Sequence, residues 1–193
     1  MNPGNWDEKY RAADRLWSAE PNLFVADRLA HHVPGRGLDL ASGEGRNAAW
    51  LARLGWDMTG VDFSPVAVQR AREGAPEVAW ELADVRDWEP ANQFDLVLVA
   101  YLQMVADELE MVIRRAATWL DSGGELFLIG HDRTNLENGY GGPSREDVLW
   151  DLGLIKEWLG GVQIIEAQRV RRPVETPEGT KLARDALVRA RRS

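Results

Sequence analysis

Two acids and two glycines carry the chemistry that can be read first. The run from Leu38 to Asp62, LDLASGEGRNAAWLARLGWDMTGVD, reads as a strand, a glycine turn, a helix and a second strand that ends in an acid. Gly43 and Gly45 let the chain turn off the first strand with no Cβ in the way, so a ligand can lie against bare backbone at a helix N-terminus. Asp62 leaves the second strand at the same sheet edge, where its carboxylate can accept hydrogen bonds from both hydroxyls of a ribose. That combination asks for an adenosine-like ligand.

Two cofactor classes satisfy it, because Gly43, Gly45 and Ala48 also fit the dinucleotide spacing G-x-G-x-x-G/A. Asp39 separates them. It lies on the first strand four residues before Gly43, where a carboxylate would repel the pyrophosphate of a dinucleotide. S-adenosylmethionine has no phosphate, and its ammonium and sulfonium would be attracted to an acid near the turn.

The segment from Asp39 to Gly45, followed by Arg46 and Asn47, resembles motif I of class I S-adenosylmethionine-dependent methyltransferases. The longer match DLASGEGRNAAWLARLGWDMTGVDFS is most similar to the tellurite-resistance and thiopurine-type branch, and the resemblance is dense over residues 38 to 100. Ala41 stands where the usual motif has its first glycine, and Ser42 where relatives often carry cysteine; both are small enough for the turn. The resemblance implies S-adenosyl-L-methionine as cofactor, held around Asp39, Ala41, Gly43, Gly45, Asn47, Asp62, Phe63 and Ala100. It further implies that Asp84, in LADVRDW, and the Val85 amide hold the adenine, although an aspartate there also suits a turn. Tyr101, just after the fourth strand, falls beside the reactive methyl group in this family. Its ring could face the sulfonium or its hydroxyl direct a substrate; packing under the next helix is the alternative.

The elements that must position these residues alternate as an α/β protein requires. Trp6, Tyr10, Ala13 and Trp17 recur at helical spacing, and a second helix is expected from about Asn22 to His31. Strands are predicted at Gly37 to Leu40, Met58 to Val61, Val78 to Leu82, Phe94 to Ala100 and Glu125 to Ile129. The apolar run FDLVLVA suits a strand buried on both faces. Between the strands, Ala48, Leu51, Ala52 and Gly55 share a helix face, and Ser64-Pro65 caps and starts a helix ending near Gly74. Val105, Leu109, Val112, Ile113, Ala116, Ala117 and Leu120 form one stripe of a helix stopped by Gly123 or Gly124. Ser144 is expected to cap a helix reaching Trp158. Residues 162–170 and 183–190 read as two strands joined by the loop RPVETPEG, hence an antiparallel pair. The expected fold is a Rossmann-like, doubly wound seven-stranded sheet, mostly parallel with a C-terminal antiparallel hairpin that the resemblance makes a hallmark. The N-terminal helices, residues 1–34, would cap a core at 35–193 within a single domain.

Composition narrows the function classes. The chain has 193 residues, 45% of them hydrophobic, enough for one substantial core. A net charge of −8 disfavours a general nucleic-acid binder. With no cysteine there is no disulfide, thiolate zinc site or thiol nucleophile. Three dispersed histidines give no metal-ligand spacing. No leader or long apolar run is read, so a cytoplasmic protein without membrane association is expected.

The remaining candidates concern the acceptor. His131 follows the fifth strand in GHDR, where neutral imidazole could act as a general base, or where it could simply order the loop. His31 and His32 sit at a helix end and are assigned no chemistry. Trp6, Tyr10 and Trp17 could cap the cofactor, with Arg11 pairing its carboxylate, or they could be ordinary packing. Arg169, Arg171, Arg172, Arg189, Arg191 and Arg192 read as solvated charge on edge strands. The Gly-rich stretch NGYGGP suggests a lid over a small acceptor. The expected reaction is in-line displacement at the methyl carbon, with alignment and exclusion of water as the protein's main contribution. An NAD(P)-dependent oxidoreductase and a non-catalytic S-adenosylmethionine-binding protein are the alternatives; neither the acceptor atom nor the oligomeric state follows from the residues.

Overall fold

The computed structural model describes residues 3–16 and 18–193. Two compact units divide the chain between Leu98 and Val99.

In the first unit, helices α1 (Pro3–Arg11) and α2 (Leu23–Leu29) precede β1 (Arg36–Leu40), α3 (Arg46–Arg53), β2 (Asp57–Asp62), α4 (Pro65–Gly74), β3 (Ala79–Leu82) and the start of β4 (Phe94–Ala100). The βαβ unit forms because Leu38, Leu40, Met58 and Val61 are buried on the strands, while Ala48 and Leu51 are buried on α3. β1 and β2 run parallel with Asp39 opposite Gly60, and β2 pairs parallel with β3. Ser64 caps α4 as its type requires, its Oγ accepting from the Ala67 amide, with Pro65 in the first turn. Gly55 lies beyond α3 at φ 98, so it ends the helix and does not extend its buried face. The expected helix from Trp6 to Trp17 stops at Arg11 because the chain turns away to give the Leu16 amide to Glu44. The expectation for Trp17 lies outside the described residues.

The second unit continues from the end of β4 through α5 (Ala106–Thr118), β5 (Leu120–His131), α6 (Asn135–Asn138), a 3-10 turn (Glu146–Val148), α7 (Leu152–Trp158), β6 (Gln163–Thr176) and β7 (Gly179–Arg191). α5 buries Leu109, Val112, Ile113 and Ala116, the expected stripe without its ends. Gly123 does not stop that helix. The helix closes at Trp119, and Gly123 bends the early part of β5 at φ 79. Asp151, not Ser144, caps the following helix, accepting from the Gly153 and Leu154 amides. The preceding residues form no α-helix beyond the short 3-10 turn at Glu146–Val148, because Trp150 is held extended. Its amide donates to His131 O, its carbonyl accepts from Arg133, and its indole donates to Leu102 O.

The C-terminal pair is longer than its sequence suggests, since RPVETPEG continues both strands down to a two-residue turn at Pro177-Glu178. Pro173 is tolerated because β6 is an edge strand, where a missing N–H leaves no ladder bond unmade. The seven strands follow the order β3-β2-β1-β4-β5-β7-β6, with β5-β7 and β7-β6 antiparallel. This is the Rossmann-like sheet with the C-terminal hairpin that the alternation of elements implied. No helix among the described residues is long and apolar enough to cross a membrane.

Candidate cofactor site

At the end of β2, both oxygens of the Asp62 carboxylate are engaged by backbone. Oδ2 accepts from the Gly43 amide at 2.8 Å and Oδ1 from the Ser64 amide at 2.8 Å. The Phe63 amide also acts on this carboxylate, so of its about four lone-pair sites roughly one is left for a further donor. Burial raises the Asp62 pKa against the pull of those amides, and the charge of Asp7 adds to the rise. Asp39 is more enclosed still. Its Oδ2 is buried with no hydrogen-bond partner, and desolvation pushes its pKa up to about 7, against the lowering influence of the Ala48 amide and Arg46. Two neighbouring buried carboxyls, one with an oxygen unanswered, make surroundings that favour a cation and disfavour a pyrophosphate.

The turn between them is tight. Ala41 sits at φ 55, Gly43 at φ 57 and Gly45 at φ 78. Ala41, the residue standing in for a glycine, holds a left-handed conformation that costs a residue with a Cβ about 1–2 kcal/mol. Ala41→Gly should therefore stabilise the protein by about 0.5 kcal/mol after the extra unfolded-state entropy of glycine is subtracted. A rise of about 2 °C in the thermal midpoint would show it, and a fall would remove the strain argument. The glycines are also enclosed by aromatics. A Cβ on Gly43 would stand 2.7 Å from the Tyr10 hydroxyl, and one on Gly45 would stand 2.2 Å from the Trp80 ring.

Polar residues of the turn fasten the N-terminal segment. Glu44 accepts from the Leu16 amide at 2.9 Å and pairs with Arg70 at 2.9 Å. Arg46 donates to Ser18 Oγ at 3.1 Å. Asn47 Oδ1 accepts from the Asn22 amide at 2.8 Å, and Asn22 in turn caps α2. The Ser64 hydroxyl bonds Asp7 on α1. Tyr10 is buried, Trp6 lies 6.1 Å from it centroid to centroid, and Lys9 sits over the Trp6 ring. Arg11 is mostly exposed, 3.7 Å from Asp7. Glu44 is the residue of this set that the sequence reading passed over; its only signal was an acid inside the glycine turn.

The Asp84 carboxylate is engaged by Arg86. Its Oδ1 accepts from the Arg86 amide and Nε at 2.9 and 3.0 Å, and its Oδ2 from Arg86 Nη2 at 2.6 Å, which lowers its pKa. Val85 beside it is buried.

In the second unit, Tyr101 and His131 come together, their ring centroids 4.8 Å apart. Tyr101 has φ 57, an unusual conformation for a side chain of this size and of the kind that clusters at functional sites. Its hydroxyl donates to Asp185 Oδ2 at 2.7 Å and accepts from Arg172 Nε at 3.0 Å. Arg172 Nε also reaches Asp185 Oδ2 at 2.8 Å. Burial, then the Asp185 charge, raises the Tyr101 pKa strongly. Arg172 is thus not solvated edge charge. Arg169 likewise bonds both oxygens of Asp132 at 3.0 Å, and Arg189 bonds Glu125 at 2.7 and 3.2 Å. All three acids are buried, and the long arginine stems of the hairpin reach them from the strand surface. Among the described residues, no group of His, Cys, Asp and Glu could hold a metal ion.

Residues 38–124 match the family described as a methyltransferase domain. That match takes in less than half of the chain, and over it the chain is similar to methyltransferases. It is 37% identical over 119 residues to a ubiquinone biosynthesis O-methyltransferase of Xanthomonas campestris pv. campestris, a match covering 58% of this chain and 48% of that protein. The chain therefore spans about half the length of that relative. Its fold is that of the N-methyltransferase NodS of Bradyrhizobium japonicum in complex with S-adenosyl-l-homocysteine, with a TM-score of 0.75, 20% identity and coverage of 100% of this chain and 99% of NodS. TehB of Haemophilus influenzae has a similar fold, with a TM-score of 0.73, 18% identity and coverage of 88% and 62%.

Proposed function

We propose that this chain is a class I S-adenosylmethionine-dependent methyltransferase that binds S-adenosyl-L-methionine in its first unit and transfers the methyl group to a small-molecule acceptor. The observation that carries the reading is the buried, unpartnered Asp39 Oδ2 behind a glycine turn that the Asp62 carboxylate also faces. A cationic ligand answers that oxygen; a dinucleotide phosphate does not. When bound, the cofactor supplies an electrophilic methyl carbon whose bond to sulfur breaks as the acceptor attacks, the sulfur keeping the electron pair.

The chain's own residues divide the binding. Asp39 faces the ammonium, and Asp62 accepts from the ribose while its Gly43 bond fixes the turn. Phe63 and Ala41 border this edge. Asp84 and the neighbouring Val85 amide hold the adenine, with Arg86 orienting the Asp84 carboxylate. Asn47 acts through Asn22, tying down the segment whose Tyr10 covers Gly43. Trp6 extends that cover, and Arg11, weakly paired and exposed, is free to swing to the methionine carboxylate. Ala100 precedes Tyr101 at the end of β4, and Tyr101 and His131 are the candidates for handling the acceptor. We take residues 1–193 as one methyltransferase domain of the tellurite-resistance and thiopurine-type branch, acting in the cytoplasm. The matched family spans the boundary between the two units, which supports the first of these. Net charge favours a small acceptor over nucleic acid.

Calorimetric titration tests this. S-adenosylhomocysteine should bind one to one and NAD should not. Asp62→Ala should weaken the first about 30-fold, the value of roughly 2 kcal/mol in hydrogen bonds to a charged group. Binding of NAD alone would overturn the reading.

A further inference from the structure

His131 ends β5 with one ring nitrogen closed in. Its Nδ1 is buried and has no well-formed hydrogen bond, and it lies 3.3 Å from Asp185 Oδ1, which is itself buried and likewise without one. Gly142, at φ 80, covers the same side of the ring, so that a Cβ there would stand 3.0 Å from Nδ1. The loop carrying Gly142 is pinned from below: Asn135 Nδ2 donates to Gly141 O at 2.7 Å, and Asn135 Oδ1 accepts from the Arg184 amide at 2.7 Å. About a tenth of the His131 side chain reaches solvent. With Nδ1 buried, that surface belongs to the rest of the side chain.

Asp185 decides which nitrogen carries the proton. Although it is buried, donors from His131, Arg172 and Tyr101 hold its pKa below the usual carboxylate range. An ionised carboxylate can only accept. Its Oδ2 takes the Tyr101 hydroxyl and Arg172 Nε, and the free Oδ1 faces His131 Nδ1. The two buried, unanswered atoms satisfy each other only if Nδ1 bears the hydrogen.

We propose that Asp185 is a positioning residue that fixes His131 as its Nδ1–H tautomer, leaving Nε2 as a proton acceptor for a hydroxyl-bearing methyl acceptor. This rests on the methyltransferase reading above and narrows it to O-methylation of a neutral hydroxyl. The acceptor O–H bond breaks, its proton passes to Nε2, and the freed oxygen electron pair becomes the nucleophile. The imidazolium charge formed is balanced by Asp185. A thiolate would need no such base. Tyr101 and Arg172 keep Asp185 ionised and aimed.

Long-range proton–nitrogen NMR of the full chain at alkaline pH reads the tautomer directly. With three histidines in the chain, His131→Gln assigns the signal. The Nδ1–H form should be the major neutral species. In the double variant Asp185→Leu/Arg172→Met, which replaces the buried ion pair by apolar groups, the preference should invert to the Nε2–H form of free imidazole. An Nε2–H tautomer in the unmodified protein overturns the proposal, as does an unchanged tautomer in the double variant. Should that variant fail to fold, carbethoxylation mapped by mass spectrometry gives a second decision. Labelling of His131 alongside His31 and His32 supports an open Nε2, and labelling of the latter two alone overturns it. Failure to bind S-adenosylhomocysteine would sink the methyltransferase reading without touching the tautomer result.

Discussion

Asp39→Asn is expected to make the protein more stable and a poorer binder of S-adenosylhomocysteine. The carboxyl is fully buried, and its pKa is about 7 against an ordinary 3.8. Because the folded pKa is raised, the native state keeps a proton that the unfolded chain releases between those two values. Stability therefore falls as pH rises through this window, and the whole cost is present above about pH 7. Each pKa unit corresponds to 1.36 kcal/mol, so the interval amounts to roughly 4 kcal/mol. An asparagine cannot ionise and escapes that cost. At pH 8 the variant should unfold about 10 °C higher; at pH 4, where the wild-type carboxyl is already protonated, the gain should vanish. Affinity for S-adenosylhomocysteine should drop at least about tenfold at pH 8, since the ammonium loses its counter-charge. In the wild type that affinity should itself weaken as pH falls below about 7. Thermal melts and calorimetry at the two pH values test both halves together. A variant less stable at pH 8 would mean that the Asp39 carboxylate is well accommodated, and the argument for a waiting cation would go with it.

Such a residue was legible in sequence because the role proposed for it depends on local spacing. Asp39, the glycine turn and Asp62 are carried by one βαβ unit, and the unit's geometry follows from alternating apolar runs and a capped helix. FDLVLVA could be read to the residue, since a strand buried on both faces has no competing period, and Ser64-Pro65 caps its helix as read. Misreadings arose where tertiary contacts outvoted local preference. Ser144 is a sound cap by type, yet Trp150 is held extended by His131, Arg133 and Leu102 and delays the helix to Leu152. Pro173 reads as a loop signal, but an edge strand accepts it.

Asp185 had no signal at all. Its partners are Tyr101 just after β4, His131 at the end of β5 and Arg172 on β6, and the pairing depends on the hairpin register that sets Val170 opposite it. Arg169, Arg172 and Arg189 were misassigned for the same reason, because a charge on the C-terminal hairpin looks solvated until a buried acid is found beneath its stem. The local half of the candidate site is thus readable from spacing, and the half assembled across strands is not.

The glycine turn offers a second large effect, through a residue outside the motif. Trp80, on β3, is anchored by its indole donating to Ala75 O at 2.8 Å. Its ring edge lies where both Gly45 and Gly60 lack a side chain, and a Cβ on either would come within 2.2 Å of it. Gly45→Ala must displace the anchored ring and also hold φ 78 with a Cβ. Overpacking costs about 1–3 kcal/mol and the left-handed conformation about 1–2, so a loss near 3 kcal/mol is expected by urea unfolding. Gly60→Ala meets the same ring without the backbone penalty and should lose about 2 kcal/mol. In a Trp80→Leu background, Gly60→Ala should become nearly neutral, while Gly45→Ala should still cost about 1 kcal/mol. The two pairs are in contact, so this non-additivity is the signal itself. The cofactor readout separates two reasons for the glycine. If Gly45 lacks a Cβ for the sake of Trp80, the Gly45→Ala/Trp80→Leu protein should bind S-adenosylhomocysteine within about threefold of Trp80→Leu alone, a difference under 1 kcal/mol. If the ligand needs that bare backbone, binding should be lost while the fold survives.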